Sequence, residues 1–255
     1  MATMVASVGI AVKTLMSILA CVMAASIAYL LVVNGISTCF APRDWWMHVA
    51  LVDFCITIAI IWAWFVYKES SWIIGVAFLF LLFWVGSVAT CVYIVLQFYK
   101  LSPEESRKDP LYFALARREK GDAMVHRRGP SVVTARIILS ALACLLLGTF
   151  IYTLIVDGSP FQSKVFTPCM IATLTDIYIH VVVFSVWVAY KESSWTSAFF
   201  WMVLLVCFRS IATCAYIVRQ LFYLSPQQSV SCIIFSKSNR DLQSRDPLLV
   251  PHSDV

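Results

Sequence analysis

The six-letter string YKESSW occurs twice in this chain, at residues 67–72 and again at 190–195, with an offset of 123 residues. The same offset aligns residues 87–103 with residues 210–226, and 11 of these 17 positions are identical. Self-similarity at one fixed offset indicates a structural unit that is used twice. The sequence therefore predicts two halves that fold alike.

The composition indicates a membrane protein. Hydrophobic residues make up 61% of the chain and charged residues 13%, against about 45–50% and about 25% in soluble domains. An apolar stretch of about 20 residues is long enough to cross a bilayer as a helix. Six segments qualify, namely residues 14–33, 46–67, 72–99, 133–156, 167–190 and 195–223. We therefore expect an all-α polytopic membrane protein with six transmembrane helices.

The repeat and the six segments together predict the domain organisation. It comprises a three-helix repeat (12–103), a basic linker (104–132), a second three-helix repeat (133–226) and a polar, disordered tail (227–255). The longest apolar run in the linker is too short to cross a membrane. Units with an odd number of crossings, joined without a further crossing, face opposite ways. The two repeats are therefore predicted to have inverted topology.

The distribution of positive charge predicts the orientation. Lysine and arginine favour cytosolic loops, and the linker is rich in both. With six spans, a cytosolic linker places both termini outside or in a lumen; the type of membrane is not indicated. The linker could bind anionic lipids of the inner leaflet, or it could be a solvated loop that only enforces topology. The lipid bilayer is the expected partner, no nucleic-acid site is predicted, and the oligomeric state is open.

Cysteine and histidine patterns indicate no cofactor. The chain has nine cysteines and four histidines, but no CxxC pair and no spacing typical of a zinc site. We therefore expect neither a metal site nor a disulfide framework. Motifs of known catalytic centres are also missing from the sequence. An enzyme is therefore not favoured.

Among the ionisable residues inside predicted spans, three are singled out: Asp53, Asp176 and Arg209. Such residues are costly in a membrane and mark functional sites by default. Each aspartate lies 14 residues before the tyrosine of its YKESSW motif, which corresponds to roughly 21 Å of helix. The aspartates are therefore candidates for an ion or solute site in a transporter. The alternative is that each one caps or hydrogen-bonds a neighbouring helix.

Arg209 breaks the repeat, because Gly86 stands at its matching position. It is as far from the second motif as Asp176, so we expect an Asp176–Arg209 ion pair. Asp53 is then left unpaired and is the better candidate for a titrating residue. His180 follows Asp176 by four residues, on the same face of the helix. It is either a proton relay or a structural hydrogen-bond donor.

Ser87 and Ser210 begin matching stripes of small and hydroxyl residues. Such stripes allow close helix packing in membranes, or they line a polar pathway. No proline or glycine is predicted to interrupt a span at its middle.

The YKESSW motifs have the composition of an interfacial turn, because Tyr and Trp favour the membrane surface and Ser can cap a helix. The exact repetition of the six letters also allows a gate or a contact between the halves. The residues in question are Tyr67, Lys68, Glu69 and Trp72, and Tyr190, Lys191, Glu192 and Trp195.

The doubled three-helix unit, the two YKESSW motifs and the related segments SVATCVYIV and SIATCAYIV resemble an uncharacterised family of plant multi-pass membrane proteins, a domain of unknown function. The resemblance implies a plant source and an integral membrane location, and it implies no activity. From the residues, the expected function is a transporter or channel for a small solute or ion. The alternatives are a membrane scaffold or accessory subunit, and a membrane-embedded lipid enzyme.

Overall fold

A computed structural model of the chain describes residues 2–33, 39, 45–69, 71–115, 131–160, 162 and 165–223. This part of the chain is helical and contains no strand, which confirms the all-α prediction for it. Its helices are α1 (Ala2–Val32), α2 (Trp45–Glu69), α3 (Trp72–Val85), α4 (Ser87–Tyr99), α5 (Pro103–Lys108), α6 (Pro110–Leu115), α7 (Val132–Val156), α8 (Pro168–Lys191), α9 (Trp195–Phe208) and α10 (Ser210–Phe222).

Four of these helices are long and apolar enough to cross a membrane: α1, α2, α7 and α8. Their number and hydropathy mark the chain as a membrane protein. The other two apolar segments, 72–99 and 195–223, are each interrupted by a non-helical residue. Within the described residues, four of the six predicted transmembrane helices are therefore present as continuous helices of that length.

The first interruption is Gly86, whose φ of 55° takes the chain out of the helix. Beyond it, the ring of Tyr93 on α4 lies 5.6 Å from the ring of Phe78 on α3. The Tyr93 hydroxyl also donates to the carboxylate of Glu69, at the end of α2. In a continuous helix Phe78 and Tyr93 would be roughly 22 Å apart along the axis. Helix α4 therefore folds back along α3, and the segment is a helical hairpin.

The second hairpin repeats the first at the same offset. Arg209 has a φ of 46°, and the rings of Trp201 and Tyr216 lie 5.0 Å apart across the turn. The Tyr216 hydroxyl donates to Glu192 at 3.1 Å. The expectation that no proline or glycine interrupts a span at its middle is thus wrong at Gly86, and Arg209 makes a second interruption without either residue. Hydropathy does not register a one-residue turn between two apolar helices, and Arg209 is not a residue type that marks a turn.

Contacts at the two ends of the bundle show how the halves are oriented. A disulfide joins Cys39, in the segment between α1 and α2, to Cys169 at the start of α8, with a Cα–Cα distance of 5.4 Å. At the other end, Lys68 of α2 donates to the carbonyl of Ala114. Tyr190 of α8 donates to Asp109, close by in the chain, at 2.7 Å. Helices α2 and α8 therefore begin at one end, the disulfide end, and finish together at the other, the motif end.

This common direction contradicts the predicted inverted topology. An odd number of crossings was assumed for each repeat, but a hairpin returns to the end from which it started. Each hairpin thus ends where it began, and the second repeat runs the same way along the bundle as the first. The disulfide corrects a further expectation, because a pair of cysteines 130 residues apart leaves no spacing pattern in the sequence.

The helices are arranged around a central pair, α2 and α8, which pack against each other. Helix α1 packs on α4 and α8, and α7 packs in the matching way on α10 and α2. Leu111 and Ala114 of α6 are buried in the core beside α1 and α4. This short helix is therefore part of the bundle rather than a helix lying on a lipid surface. Most of the linker, and the tail from residue 224 onward, lie outside the described residues.

Candidate functional site at the two hairpin tips

The two aspartates singled out from the sequence lie against the tips of the two hairpins. Asp53 lies roughly 24 Å along α2 from Glu69, and each hairpin tip lies roughly 21 Å along its first helix from the motif. An aspartate and a tip therefore reach the same depth when both repeats run the same way. We name two clusters by their tips. The Arg209 tip site comprises Arg209, Ser210, Thr213, Asp53 and Thr57, and the Gly86 tip site comprises Gly86, Ser87, Thr90, Asp176 and His180.

In the Arg209 tip site, Asp53 from the first repeat binds the hairpin of the second. Its carboxylate accepts a hydrogen bond from the backbone N–H of Ser210 at 3.3 Å. Its other oxygen lies 3.1 Å from Nε of Arg209. The Ser210 hydroxyl is 2.7 Å from the Thr57 hydroxyl, one turn after Asp53. With 1% of its surface exposed, Asp53 is a buried carboxylate that both caps α10 and neutralises an arginine.

In the Gly86 tip site the relation is reversed, because Asp176 from the second repeat binds the hairpin of the first. One of its carboxylate oxygens accepts the backbone N–H of Ser87, the first residue of α4. The other oxygen lies 3.3 Å from Nδ1 of His180. Nε2 of His180 lies 3.1 Å from the hydroxyl of Thr90. Asp176 and His180 are each 1% exposed, and Thr90 is fully buried.

Gly86 itself is required at this tip for two reasons. Its positive φ suits glycine best among the amino acids. A Cβ added at Gly86 would also overlap the carboxylate of Asp176. The Asp176 carboxylate thus fills the space that the missing side chain leaves.

The predicted Asp176–Arg209 ion pair is therefore wrong, and so is the expectation that Asp53 is unpaired. Arg209 pairs with Asp53, while Asp176 faces His180 instead. Sequence reasoning placed the two residues of each pair at similar depths but could not see that hairpins are exchanged between repeats. The sequence alternative, in which each aspartate caps a neighbouring helix, matches these contacts.

The glutamates of the YKESSW motifs attach each hairpin to its own repeat. Glu69 accepts from Tyr93, and the amide of Gln97 is 3.4 Å away. Glu192 accepts from the matching Tyr216 and from Gln220 at 3.3 Å. These contacts were not predicted from the sequence, although the tyrosine and the glutamine both recur at the 123-residue offset. The motif therefore anchors the returning helix of each hairpin.

Other residues of the two motifs also make contacts at the motif end of the bundle. Lys68 and Lys191 lie over the rings of Trp64 and Trp187, at 5.6 and 5.5 Å. Glu192 also lies 3.1 Å from Arg219, which replaces Leu96 of the first repeat. The remaining motif residues differ in exposure: Tyr67 is half-buried, whereas Trp72 and Trp195 are 64% and 83% exposed. Exposed tryptophans at one level are typical of a membrane surface.

The described residues contain no group of three or more His, Cys, Asp or Glu side chains placed to hold a metal ion. A groove of about 420 Å³ lies between α1 and α8, and no residue of either tip site lines it. Its lining is mainly apolar and includes Leu19, Val22, Ile171, Tyr178 and Val182. The two tip sites are therefore the places where buried charge and broken helices coincide.

Comparison with known proteins gives one match. A family profile described as "Protein of unknown function (DUF1475)" matches residues 1–241. No curated protein and no solved structure matches the chain.

Proposed function

Since the chain belongs to the DUF1475 family, whose description assigns no function, we propose from its geometry that it transports or conducts a small solute or ion. The observation that carries the proposal is the exchange at the tips, where each hairpin meets a buried aspartate of the other repeat. Interrupted helices with their N-termini inside the membrane are the common site of solute binding in transporters. Irregular backbone at that depth is tolerated where protein buries it or where it lines a pathway.

The proposal includes a membrane arrangement of four spans and two re-entrant hairpins. The hairpin helices have 14 and 13 residues in the first repeat and again in the second. Each is roughly 20 Å long, whereas the hydrocarbon core is about 30 Å thick. Both hairpins thus enter from the motif end, turn at their tips and leave by the same face.

We place the motif end in the cytosol, opposite to the orientation expected from six spans. Lys13, Lys68, Lys100, Arg136, Lys191 and Arg219 lie at or near this end, and the segment between α6 and α7 adds Arg117, Arg118, Lys120, Arg127 and Arg128. The segments at the disulfide end have one positive residue each, Arg43 and Lys164. Positive residues favour the cytosol, and disulfides persist in oxidising compartments. The two arguments are independent and agree.

This orientation brings the basic segment between α6 and α7 to the cytosolic leaflet. Anionic lipids of that leaflet attract clustered lysine and arginine, by about 1 kcal/mol per residue near the surface. Anionic lipids are therefore the proposed partner of the linker.

In the proposed mechanism the tips are gates. When a tip leaves its aspartate, the capping hydrogen bond to Ser87 or Ser210 breaks. The carboxylate and the first N–H groups of the helix then become available to a solute. The Arg209 tip carries a fixed positive charge, so the two gates differ in charge although they are alike in backbone geometry. A pathway along both tips would therefore meet Asp176 and His180 at one and Asp53 and Arg209 at the other.

The experiment is flux into sealed vesicles that contain the purified protein. A panel of protons, alkali cations, chloride, sugars and amino acids is offered to the wild type and to Asp53→Asn and Asp176→Asn. Glu104→Gln is the matched control, because it makes the same chemical change at an exposed residue of α5. We expect flux in the wild type and in the control, and its loss in both aspartate variants. Wild-type vesicles that are impermeable to the whole panel would refute transport.

A second candidate, a membrane scaffold or accessory subunit, has its own supporting observation. Both carboxylates accept a backbone N–H at the start of a helix, and such capping is sufficient reason for a buried aspartate. A scaffold shows no flux, and its aspartate variants lose only stability. Measuring thermal unfolding of the same four proteins therefore separates the two functions.

A further inference from the structure

We propose that Asp176 and His180 form a proton-binding switch at the tip of the first hairpin, and that the Arg209 tip site has no counterpart of it. The two sites match in backbone geometry and differ at two positions, because Gly86 and His180 of one site stand where the other has Arg209 and Thr57. The cation beside Asp53 is an arginine, which stays charged, whereas the group beside Asp176 is a histidine, which changes charge near neutral pH. This inference is independent of whether the protein transports a solute.

The hydrogen bonds of His180 determine which of its two ring nitrogens carries the hydrogen when the ring is neutral. Nδ1 lies 3.0 Å from the backbone carbonyl oxygen of Asp176. A carbonyl oxygen only accepts, so Nδ1 carries the hydrogen. Nε2 then has a free lone pair, and the hydroxyl of Thr90 donates to it at 3.1 Å. Nε2 is therefore the atom of the ring that takes up a proton.

The positive charge of protonated His180 lies next to a carboxylate oxygen of Asp176 that accepts no hydrogen bond from the described residues. Oδ2 of Asp176 is buried and accepts none from the described residues, yet it lies 3.3 Å from Nδ1 of His180. Uptake of one proton from solution changes the pair from one negative charge to none. A buried carboxylate with no permanent cation gains from that neutralisation.

The proton also changes the hydrogen bonds of the hairpin. Once Nε2 of His180 carries a hydrogen, it donates to the Thr90 oxygen, and the hydrogen of the Thr90 hydroxyl needs another acceptor. The second repeat shows which one is available. There Thr57 replaces His180, and the matching Thr213 donates to the carbonyl of Arg209 at 3.1 Å. By the same geometry, Thr90 turns to the carbonyl of Gly86, at the tip itself.

Few other charged groups surround His180. Among the described residues of the helices packed on α8, α4 brings the thiol of Cys91, which faces Asp176. The charged side chain of α1 is Lys13, over the Tyr99 ring at the motif end. On α2, Asp53 is paired with Arg209, and His48 contacts Trp45. The other charged residues of α2, Lys68 and Glu69, lie at the motif end. Helix α9 has no charged residue. Helix α10 also packs on α8, and its Arg219 and Tyr216 bind Glu192 at the motif end. The charged group that contacts His180 is therefore Asp176.

The test is nuclear magnetic resonance of the full-length protein in lipid nanodiscs, with ¹⁵N-labelled histidine. The chain has four histidines, and His180→Thr, which copies the first repeat, identifies the signal of His180. The pH is lowered from about 8 to about 5, where histidines commonly change charge. We expect His180 to carry hydrogen on Nδ1 alone at the start and on both nitrogens at the end.

Two matched variants test the link to the hairpin. Thr90→Val removes the hydroxyl beside His180 and should shift the midpoint of its titration. Thr213→Val makes the same change in the other hairpin and should leave that midpoint unchanged. A His180 that stays neutral over the whole range, or equal shifts from both variants, would overturn the proposal. If Thr90→Val does not fold, Thr90→Ala replaces it, and the wild-type titration is decisive by itself.

Discussion

Gly86 and Arg209 stand at the same position of the two repeats, and both have a positive φ, 55° and 46°. Only one of them is a glycine. Glycine adopts this conformation freely, whereas in other residues it costs of order 1–3 kcal/mol and persists only where the surroundings impose it. At Arg209 the surroundings include the ion pair with Asp53 at 3.1 Å. The two tips thus keep one backbone shape for different reasons.

The first prediction concerns the Gly86 tip. Gly86→Ala introduces a Cβ that overlaps the Asp176 carboxylate and strains a positive φ. We expect a loss of stability of several kcal/mol, of the size seen for severe backbone and packing errors. Gly148→Ala is the matched control, because nothing lies within 4 Å of its added Cβ; it should be neutral or stabilising by about 0.5–1 kcal/mol. Thermal unfolding in detergent measures both, and equal midpoints would contradict the tip geometry.

The second prediction concerns the ion pair. Arg209→Gly leaves Asp53 buried without its cation, which should cost about 3–5 kcal/mol, less about 1 kcal/mol for the relief of the positive φ. A double-mutant cycle with Asp53→Asn should show strong coupling. The same cycle with Asp176→Asn should show little, since Asp176 faces His180. Stronger coupling of Arg209 to Asp176 than to Asp53 would restore the pairing expected from the sequence.

The third prediction concerns the anchors of the hairpins. Tyr93→Phe and Tyr216→Phe each remove a hydrogen bond to a glutamate, worth about 1.5–3 kcal/mol when the acceptor is charged. Tyr216→Phe should cost less, because Glu192 keeps Arg219 and Gln220. Tyr178→Phe, at a 43% exposed residue, is the control. Unfolding midpoints that rank the variants in another order would argue against this role of the motif.

The fourth prediction concerns the disulfide. Cys39→Ala should lower stability by up to about 5 kcal/mol, the chain-entropy value for a loop of 130 residues. Cys144→Ala, which removes a free cysteine, should have a small effect. Peptide mapping without reductant should recover the peptides of Cys39 and Cys169 joined. Recovery of both as free thiols from freshly isolated membranes would contradict the oxidising location of the disulfide end.

Several features of the fold could be predicted from the sequence. Hydropathy predicted the helices, and the 123-residue offset singled out Asp53 and Asp176. Each of these aspartates contacts one of the two tips. The count of spans could not be predicted, because a turn at one residue does not interrupt the hydropathy of 72–99. The predicted inverted topology was wrong for the same reason, because it was derived from an odd number of crossings in each repeat. The partners of the aspartates depend on contacts between repeats, which distances along one helix cannot give.

Both repeats run in the same direction along the bundle, and the side of the membrane on which each motif lies tests this most directly. Single cysteines at Ser71 and Ser194 are made in a protein that keeps only Cys39 and Cys169, in sealed vesicles of known orientation. A membrane-impermeant maleimide is added from one side and then, after permeabilisation, from both. We expect the two cysteines to react from the same side, the cytosolic one. Labelling of Ser71→Cys from one side and of Ser194→Cys from the other would contradict it and would restore the inverted repeat.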